Sequence, residues 1–226
     1  MNTRLRVADA GDLFDPVAAD APRTIVDDAQ GGIRYWPDVV DPATAWAWFE
    51  ALRDGASWYT MRRPMYDRIV DVPRLVGAYA LDALPDALPL HAMLECVARI
   101  VPAPYTSVGL NLYRDGRDSV AMHGDKLHSL RDGHPIALVS LGAPRRMFIR
   151  ARTGTRATTA VELEPGSLLC MSHAAQITHE HGIPKTARTV GPRMSVVFRV
   201  RPPQASPYGG MRPRDAIARR AEPTDG

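Results

Sequence analysis

The sequence predicts an α+β fold: a double-stranded β-helix, or jelly roll, supported by N-terminal helices. Three observations carry this expectation. Two helical patterns come early, both ending by Val101. From Ser107 onward the apolar spacing changes to short strand-like runs. Those runs are separated by turn signals such as Asp115-Gly116, Gly154 and Glu164-Pro165-Gly166. Many short strands after two helices suggest two packed sheets with helical backing. At 226 residues the chain is long enough for one large core.

In chain order, residues 1–30 read as a polar, acidic N-terminal arm, with a short strand near Ile33-Arg34-Tyr35. Asp41 is a good N-cap and Pro42 a good first helical residue. Ala45, Trp46, Phe49 and Leu52 then follow at helical spacing, and Gly55 suits the stop. Residues 56–82 interleave aromatics with arginines around Pro64 and Pro73. Such a segment either stacks bases and holds phosphates, or is a strand pair packing its aromatics inward. A second helix is expected over 88–101, ended by Pro102 and Pro104. Strands are expected over 107–113, 119–123, 136–141, 146–151, 160–163, 167–172, 176–181 and 194–200. The domain thus spans 31–201, with 56–82 as its nucleotide-recognition segment. Residues 202–226 form a Pro- and Arg-rich mobile tail in which 212–220 could add a short helix.

Composition narrows the class. Cys96 and Cys170 are the two cysteines, too few for a disulfide framework. No apolar run reaches membrane length and no secretory h-region opens the chain, so a soluble cytoplasmic protein is expected. Residues 1–50 carry nine acidic and four basic residues, while the rest carries 16 acidic and 24 basic. A basic body suits a polyanionic partner. However, the basic residues are 26 Arg and 2 Lys, a bias that can strew arginines without any partner.

The chemistry centres on His123-Gly-Asp125. In a strand, residues i and i+2 share a face, so one imidazole and one carboxylate can reach one metal ion. A histidine from a distant strand would complete a set of two histidines and a carboxylate that leaves metal positions open. His173, His179 and His181 are the candidates, and the residues alone do not choose among them. Arg193 and Arg199 are six apart, so both can point inward from one strand, where they need anionic partners.

The order of motifs resembles the AlkB family of Fe(II)/2-oxoglutarate dioxygenases. The segments that carry the likeness are Asn111-Leu-Tyr113-Arg-Asp-Gly, Asp118-Ser-Val-Ala-Met-His123-Gly-Asp125, Pro135-Ile-Ala-Leu-Val-Ser-Leu-Gly142, Leu163-Glu-Pro-Gly-Ser-Leu-Leu169, His181-Gly-Ile-Pro184-Lys and Pro192-Arg193-Met-Ser-Val-Val-Phe198-Arg199. A looser likeness, including Val72-Pro73-Arg74-Leu75, extends it forward. The resemblance implies Fe(II) held by His123, Asp125 and His181, with 2-oxoglutarate and O2 as cosubstrates. It implies that Arg193, helped by the Tyr113 hydroxyl, pairs with the distal carboxylate of 2-oxoglutarate, and that Asn111 and Arg199 lie near the keto-acid end or orient the iron ligands. Ser195 and Val197 stand where the family has Asn and Thr. Lys126-Leu127 stand where it usually has acidic residues that help hold the target base.

The expected function is therefore oxidative removal of alkyl groups from nucleobases in DNA or RNA by a monomeric enzyme. Trp58, Tyr66 and Tyr79 are expected at the pocket lid, with Lys126 beside the base. The hairpin carrying Arg145, Arg146, Arg150, Arg152 and Arg156 is expected to hold phosphates. The rivals are the same chemistry on modified RNA, a protein side chain or a small molecule; a non-catalytic nucleic-acid-binding domain; and a zinc hydrolase, which would leave Arg193 and Arg199 without a role.

Overall fold

The structure is a computed structural model that describes residues 21–65, 68–203 and 216–218. The first helix, α1 (Pro42–Gly55), starts where its cap chemistry places it. The Asp41 carboxylate accepts from the amides of Ala43 and Thr44, each at 3.0 Å. This occupies two of the amides that a helix N-terminus leaves unpaired. Ala45, Phe49 and Leu52 point inward, whereas Trp46 is 54% exposed and stacks on Phe49. The second helix, α2 (Leu90–Ile100), buries Leu90, Met93, Cys96 and Val97.

The strands are β1 (Arg23–Val26), β2 (Ile33–Trp36), β3 (Tyr59–Met65), β4 (Arg68–Ala80), β5 (Ser107–Tyr113), β6 (Val120–His123), β7 (Ile136–Gly142), β8 (Arg145–Ala151), β9 (Thr158–Leu163), β10 (Leu168–Met171), β11 (His179–Ile183), β12 (Arg193–Arg199) and β13 (Ala216–Ala218). They form two sheets. The larger runs β1-β2-β10-β7-β12-β5-β4-β3-β13 and the smaller runs β6-β11-β8-β9. Every pairing is antiparallel.

Strand alternation divides the core into two layers. Val108, Leu110 and Leu112 of β5, Ala137, Val139 and Leu141 of β7, and Met194, Val196 and Phe198 of β12 pack with the buried residues of α1 and α2. The intervening residues Tyr113, Ile136, Leu138 and Val197 pack with Met147, Ile149, Val161, Leu163 and Ile183 of the smaller sheet. Buried on both faces, β7 is apolar nearly throughout. The face of β12 that carries Arg193, Ser195 and Arg199 is therefore the face between the sheets.

Phe49 is fully buried, and Gly142 makes room for it: a Cβ at Gly142 would lie 2.8 Å from the Phe49 ring. Phe49→Ala is expected to lower stability by about 3–5 kcal/mol. Urea unfolding should show a lower midpoint at unchanged slope. A loss below about 1 kcal/mol would mean that α1 is not anchored on the sheet in this way.

Three expectations need correction. Residues 176–181 are not one strand. A short helix, α3 (His173–Thr178), precedes β11, because the Ser172 hydroxyl caps it by accepting from the Ala175 amide at 2.9 Å. Residues 216–218, where the sequence allows a short helix over 212–220, pair with β3 as a strand, while the rest of the expected tail, 204–215 and 219–226, lies outside the described residues. Within the expected arm of 1–30, residues 1–20 lie outside the described residues, while Arg23–Val26 pairs with β2.

Candidate metal centre

Antiparallel pairing of β6 with β11 sets His123 opposite His181. Their rings lie 4.6 Å apart between centroids. Asp125 follows β6 directly, and ligand atoms of His123, Asp125 and His181 all lie within 4.8 Å of one another. β6, which carries His123, is pinned from its preceding loop. Arg114 grips the buried Asp118 carboxylate with two hydrogen bonds, at 2.8 and 2.9 Å.

The protonation states suit a cation. The Nδ1 of His123 faces the Ala121 carbonyl at 2.8 Å, which makes it the donor and leaves Nε2 toward Asp125 Oδ1, 3.8 Å away. Burial pushes His123 below the usual imidazole range, against the pull of Asp125. Burial, reinforced by His123, pushes His181 down to about 3. Both rings are thus neutral, with a lone pair to offer. Burial alone would raise Asp125, but Arg199, then His181, hold it well below the usual carboxylate range. Arg199 donates from Nε to Asp125 Oδ2 at 2.6 Å, which leaves Oδ1 toward the histidines. Two neutral imidazoles and one ionised carboxylate, converging from two strands, fit a divalent metal such as Fe(II).

Gln176 of α3 was not singled out from the sequence. Its Oε1 accepts from the Asp125 amide at 2.9 Å, so it holds the backbone of a candidate ligand. Its backbone carbonyl, together with Arg152, explains the glycine between the two ligands. A Cβ at Gly124 would lie 2.6 Å from each.

β12 contributes a buried guanidinium that could receive an anion. Arg193 is fully buried. Its Nη2 donates to the Ser140 hydroxyl at 3.3 Å, while Nε and Nη1 have no hydrogen-bond partner among the described residues. The Tyr113 ring lies 5.2 Å from its guanidinium carbon. Burial pushes Arg193 down to about 10, so it is still charged at neutral pH. A buried guanidinium with two idle donors is costly unless an anion meets it, and its planar fork fits a carboxylate. This is the fit a dicarboxylic cosubstrate such as 2-oxoglutarate requires. Ser195 is buried opposite Asn111 and Ser140, and Asn111 accepts from Arg74 Nε at 2.8 Å.

A cavity of about 620 Å³ takes in the three candidate ligands, and Arg193 adjoins it through Tyr113. Asn111, Tyr113, His123, Asp125, His181, Ser195 and Arg199 line it, and Arg74, Lys126 and Arg201 stand with them. His173 and His179 are engaged elsewhere, with Asp132 at 2.9 Å and the Thr178 hydroxyl at 2.9 Å.

The expected substrate residues fare differently. Trp58 is not a lid residue: it is 5% exposed within the helix-side core, and its indole donates to the Arg53 carbonyl. Tyr79 packs against that same core, with its hydroxyl accepting from the Ser57 amide. Residues 56–82 thus include the strand pair β3–β4, with these two aromatics turned to the core. Tyr66 lies outside the described residues. Arg145 is not a phosphate contact: it is 4% exposed and donates to the carbonyls of Asp115, Asp118 and Pro184. Arg150 pairs with Glu180 of β11, and Arg156 also reaches it at 3.4 Å. Arg146 meets Glu162. Arg152 remains exposed, with its Nε on the His179 carbonyl.

Comparison with known proteins agrees with this geometry. The family described as "2OG-Fe(II) oxygenase superfamily" matches residues 32–199. The chain belongs to the 2OG-Fe(II) oxygenase superfamily, whose cofactor is Fe(II) and whose cosubstrates are 2-oxoglutarate and O2. Among its relatives is human DNA oxidative demethylase ALKBH2, 31% identical over 117 residues, 49% of this chain and 45% of the relative. Another is the mouse alpha-ketoglutarate-dependent dioxygenase alkB homolog 3, 34% identical over 138 residues, 57% of this chain and 48% of the relative. The AlkB likeness read from the sequence is thereby supported. The chain spans about half the length of these curated relatives. In fold it is similar to the solved structure of OsALKBH1, with a TM-score of 0.55 at 14% identity over 74% of this chain and 97% of that one. A 2OG-Fe(II) oxygenase from Burkholderia pseudomallei is also similar, with a TM-score of 0.51 at 16% identity over 74% and 84%.

Proposed function

We propose that this chain is a 2-oxoglutarate-dependent dioxygenase that removes alkyl groups from nucleobases in DNA or RNA by oxidation. One observation carries the proposal: Arg193 is fully buried with the Nε and Nη1 of its fork unpaired among the described residues, and it packs against Tyr113, which lines the same cavity as His123, Asp125 and His181. A zinc hydrolase has no use for that fork. The nucleobase as substrate is inferred from the relatives named DNA oxidative demethylase.

The reaction balances as follows. An N-methyl base, O2 and 2-oxoglutarate give the demethylated base, formaldehyde, succinate and carbon dioxide. One oxygen atom enters succinate and the other oxidises the methyl carbon. Iron supplies the oxidation when bound. The chain does the rest. His123, Asp125 and His181 would hold the metal from two strands, and Arg199 and Gln176 fix Asp125 from its side chain and its amide. Arg193 and Tyr113 would hold the distal carboxylate, with Asn111 and Ser195 beside it. A duplex base has to leave its stack to enter. The β4 segment around Asp71–Arg74 and Lys126 would meet it at the mouth, and exposed Arg152, next to Gly124, would hold a phosphate.

The two sheets are read as a double-stranded β-helix with α1 and α2 as its support. Residues 31–201 are the catalytic unit, within a monomer working in the cytoplasm. No described helix is long and apolar enough to cross a membrane.

The test is a survey of methylated oligonucleotides and free nucleosides for succinate and formaldehyde release. Stimulation by at least one methylated oligonucleotide is expected. Succinate release that no methylated base stimulates would place the substrate among proteins or small molecules instead.

A further inference from the structure

We propose that the turn between β1 and β2 is a positioning element for the metal centre: Asp28 and Gln30 fix α3, and α3 carries Gln176 to the Asp125 backbone. The turn lies before residue 32, where the match to the oxygenase superfamily begins. The inference rests on His123, Asp125 and His181 as the metal ligands and on nothing about the substrate.

α3 has six residues, too few to hold itself together. Nucleating a helical turn orders several residues for one hydrogen bond, and the first amides of any helix lack partners within it. Two of these amides are met with help from the turn. Gln30 Oε1 accepts from the Ala174 amide at 2.9 Å. The Ser172 hydroxyl accepts from the Ala175 amide at 2.9 Å and donates to Asp28 Oδ2 at 2.6 Å. That donation commits the hydroxyl hydrogen, so a lone pair faces the helix. Asp28 Oδ1 accepts from the amides of Gln30 and Gly32, each at 2.8 Å. One carboxylate therefore shapes the turn and aims the cap. The Ser172 amide also donates to the Gly32 carbonyl at 2.8 Å. Gly32 itself has φ +71°, and a Cβ there would collide with the Val26 carbonyl.

α3 in turn reaches two of the three ligands. Gln176 is 3% exposed, and its Oε1 accepts from the Asp125 amide at 2.9 Å. Its Nε2 has no partner among the described residues. With so little else to hold it, the buried carboxamide is placed by the helix that carries it. β11 starts at His179, directly after α3 ends, and its third residue is His181. Loosening α3 would disturb the support of Asp125 and the approach to His181 together. Arg193 bonds instead to Ser140 of β7 and packs on Tyr113 of β5, away from the turn and from α3.

The experiment titrates Mn(II) into the metal-free full chain and follows the loss of the free ion's electron paramagnetic resonance signal. Losing an outer support of a metal ligand weakens metal affinity by about tenfold or more. Asp28→Ala and Gln176→Met should each weaken Mn(II) binding by about that factor. Gln30 is exposed, so its variants should fold. Gln30→Leu should weaken Mn(II) binding, whereas Gln30→Glu, which keeps an acceptor oxygen, should bind as the parent does. The 2-oxoglutarate concentration for half-maximal rate, at saturating Fe(II), should stay at the parent's value in Asp28→Ala. The double variant Asp28→Ala with Gln176→Met should bind Mn(II) no more weakly than Gln176→Met alone, because one change already breaks the route. Losses that multiply in the double variant overturn the route. Parent-like Mn(II) binding in Asp28→Ala and Gln176→Met overturns the proposal, and so does an equal rise in their 2-oxoglutarate requirement, which would mean general loosening. If Asp28→Ala does not fold, equal Mn(II) binding by Gln30→Leu and Gln30→Glu overturns it. A parent that binds no Mn(II) overturns the ligand set and this inference with it, whereas failure in the variants alone leaves the ligand set and nucleobase dealkylation standing.

Discussion

His181→Ala is expected to abolish turnover, and His179→Ala is expected to retain it. The pair is informative because both histidines lie on β11 two residues apart, where strand geometry alone treats them alike. Only His181 joins the cluster with His123 and Asp125, directly across from His123 in the β6–β11 pairing. Losing a ligand forfeits the several kcal/mol that a bound metal supplies, about a thousandfold or more in rate. Fe(II) binding should weaken in the same variant, which separates a lost ligand from a lost substrate contact. Activity lost with His179→Ala and kept with His181→Ala would overturn the ligand set.

Arg193→Ala should raise the 2-oxoglutarate concentration needed for half-maximal rate by a factor of hundreds or more. Removing one partner of a buried ion pair costs about 3–5 kcal/mol. Here the anionic partner would be the cosubstrate itself, so the loss falls on its binding. The rate should recover toward the parent's as 2-oxoglutarate is raised. Arg193→Lys should rescue poorly, because a single ammonium cannot reproduce two parallel donors from a planar fork. An unchanged 2-oxoglutarate requirement in Arg193→Ala would remove the clamp.

The parts of this site that were legible in the sequence are those set by local geometry. Asp41-Pro42 marked the start of α1 because a cap needs only its neighbours. His123 and Asp125 were legible as a pair because two residues in an extended chain share a face. The same alternation put Arg193, Ser195 and Arg199 together, and β12 does present them between the sheets. Interactions between distant segments were not legible. Nothing near residue 150 announces that Glu180, thirty positions away, neutralises Arg150. Arg145 looked like its arginine neighbours, yet its strand position buries it against three carbonyls. Trp58 was ambiguous between a stacking platform and a core anchor, and burial decided for the core. Gln176 was hidden by the wrong period: it read as part of a strand, and it lies in the helix that Ser172 caps, where it meets the Asp125 amide. The choice of His181 over His179 came from the ordered resemblance, since it depends on which strand lies beside β11.

The central claim is that one cavity couples 2-oxoglutarate oxidation to loss of an alkyl group from a base. The most direct test is to measure succinate and formaldehyde in the same reaction, on one methylated oligonucleotide, with and without oxygen. Equal amounts of the two products, both falling to background without oxygen or without 2-oxoglutarate, are predicted. Demethylation that proceeds without oxygen and yields no succinate would contradict the account.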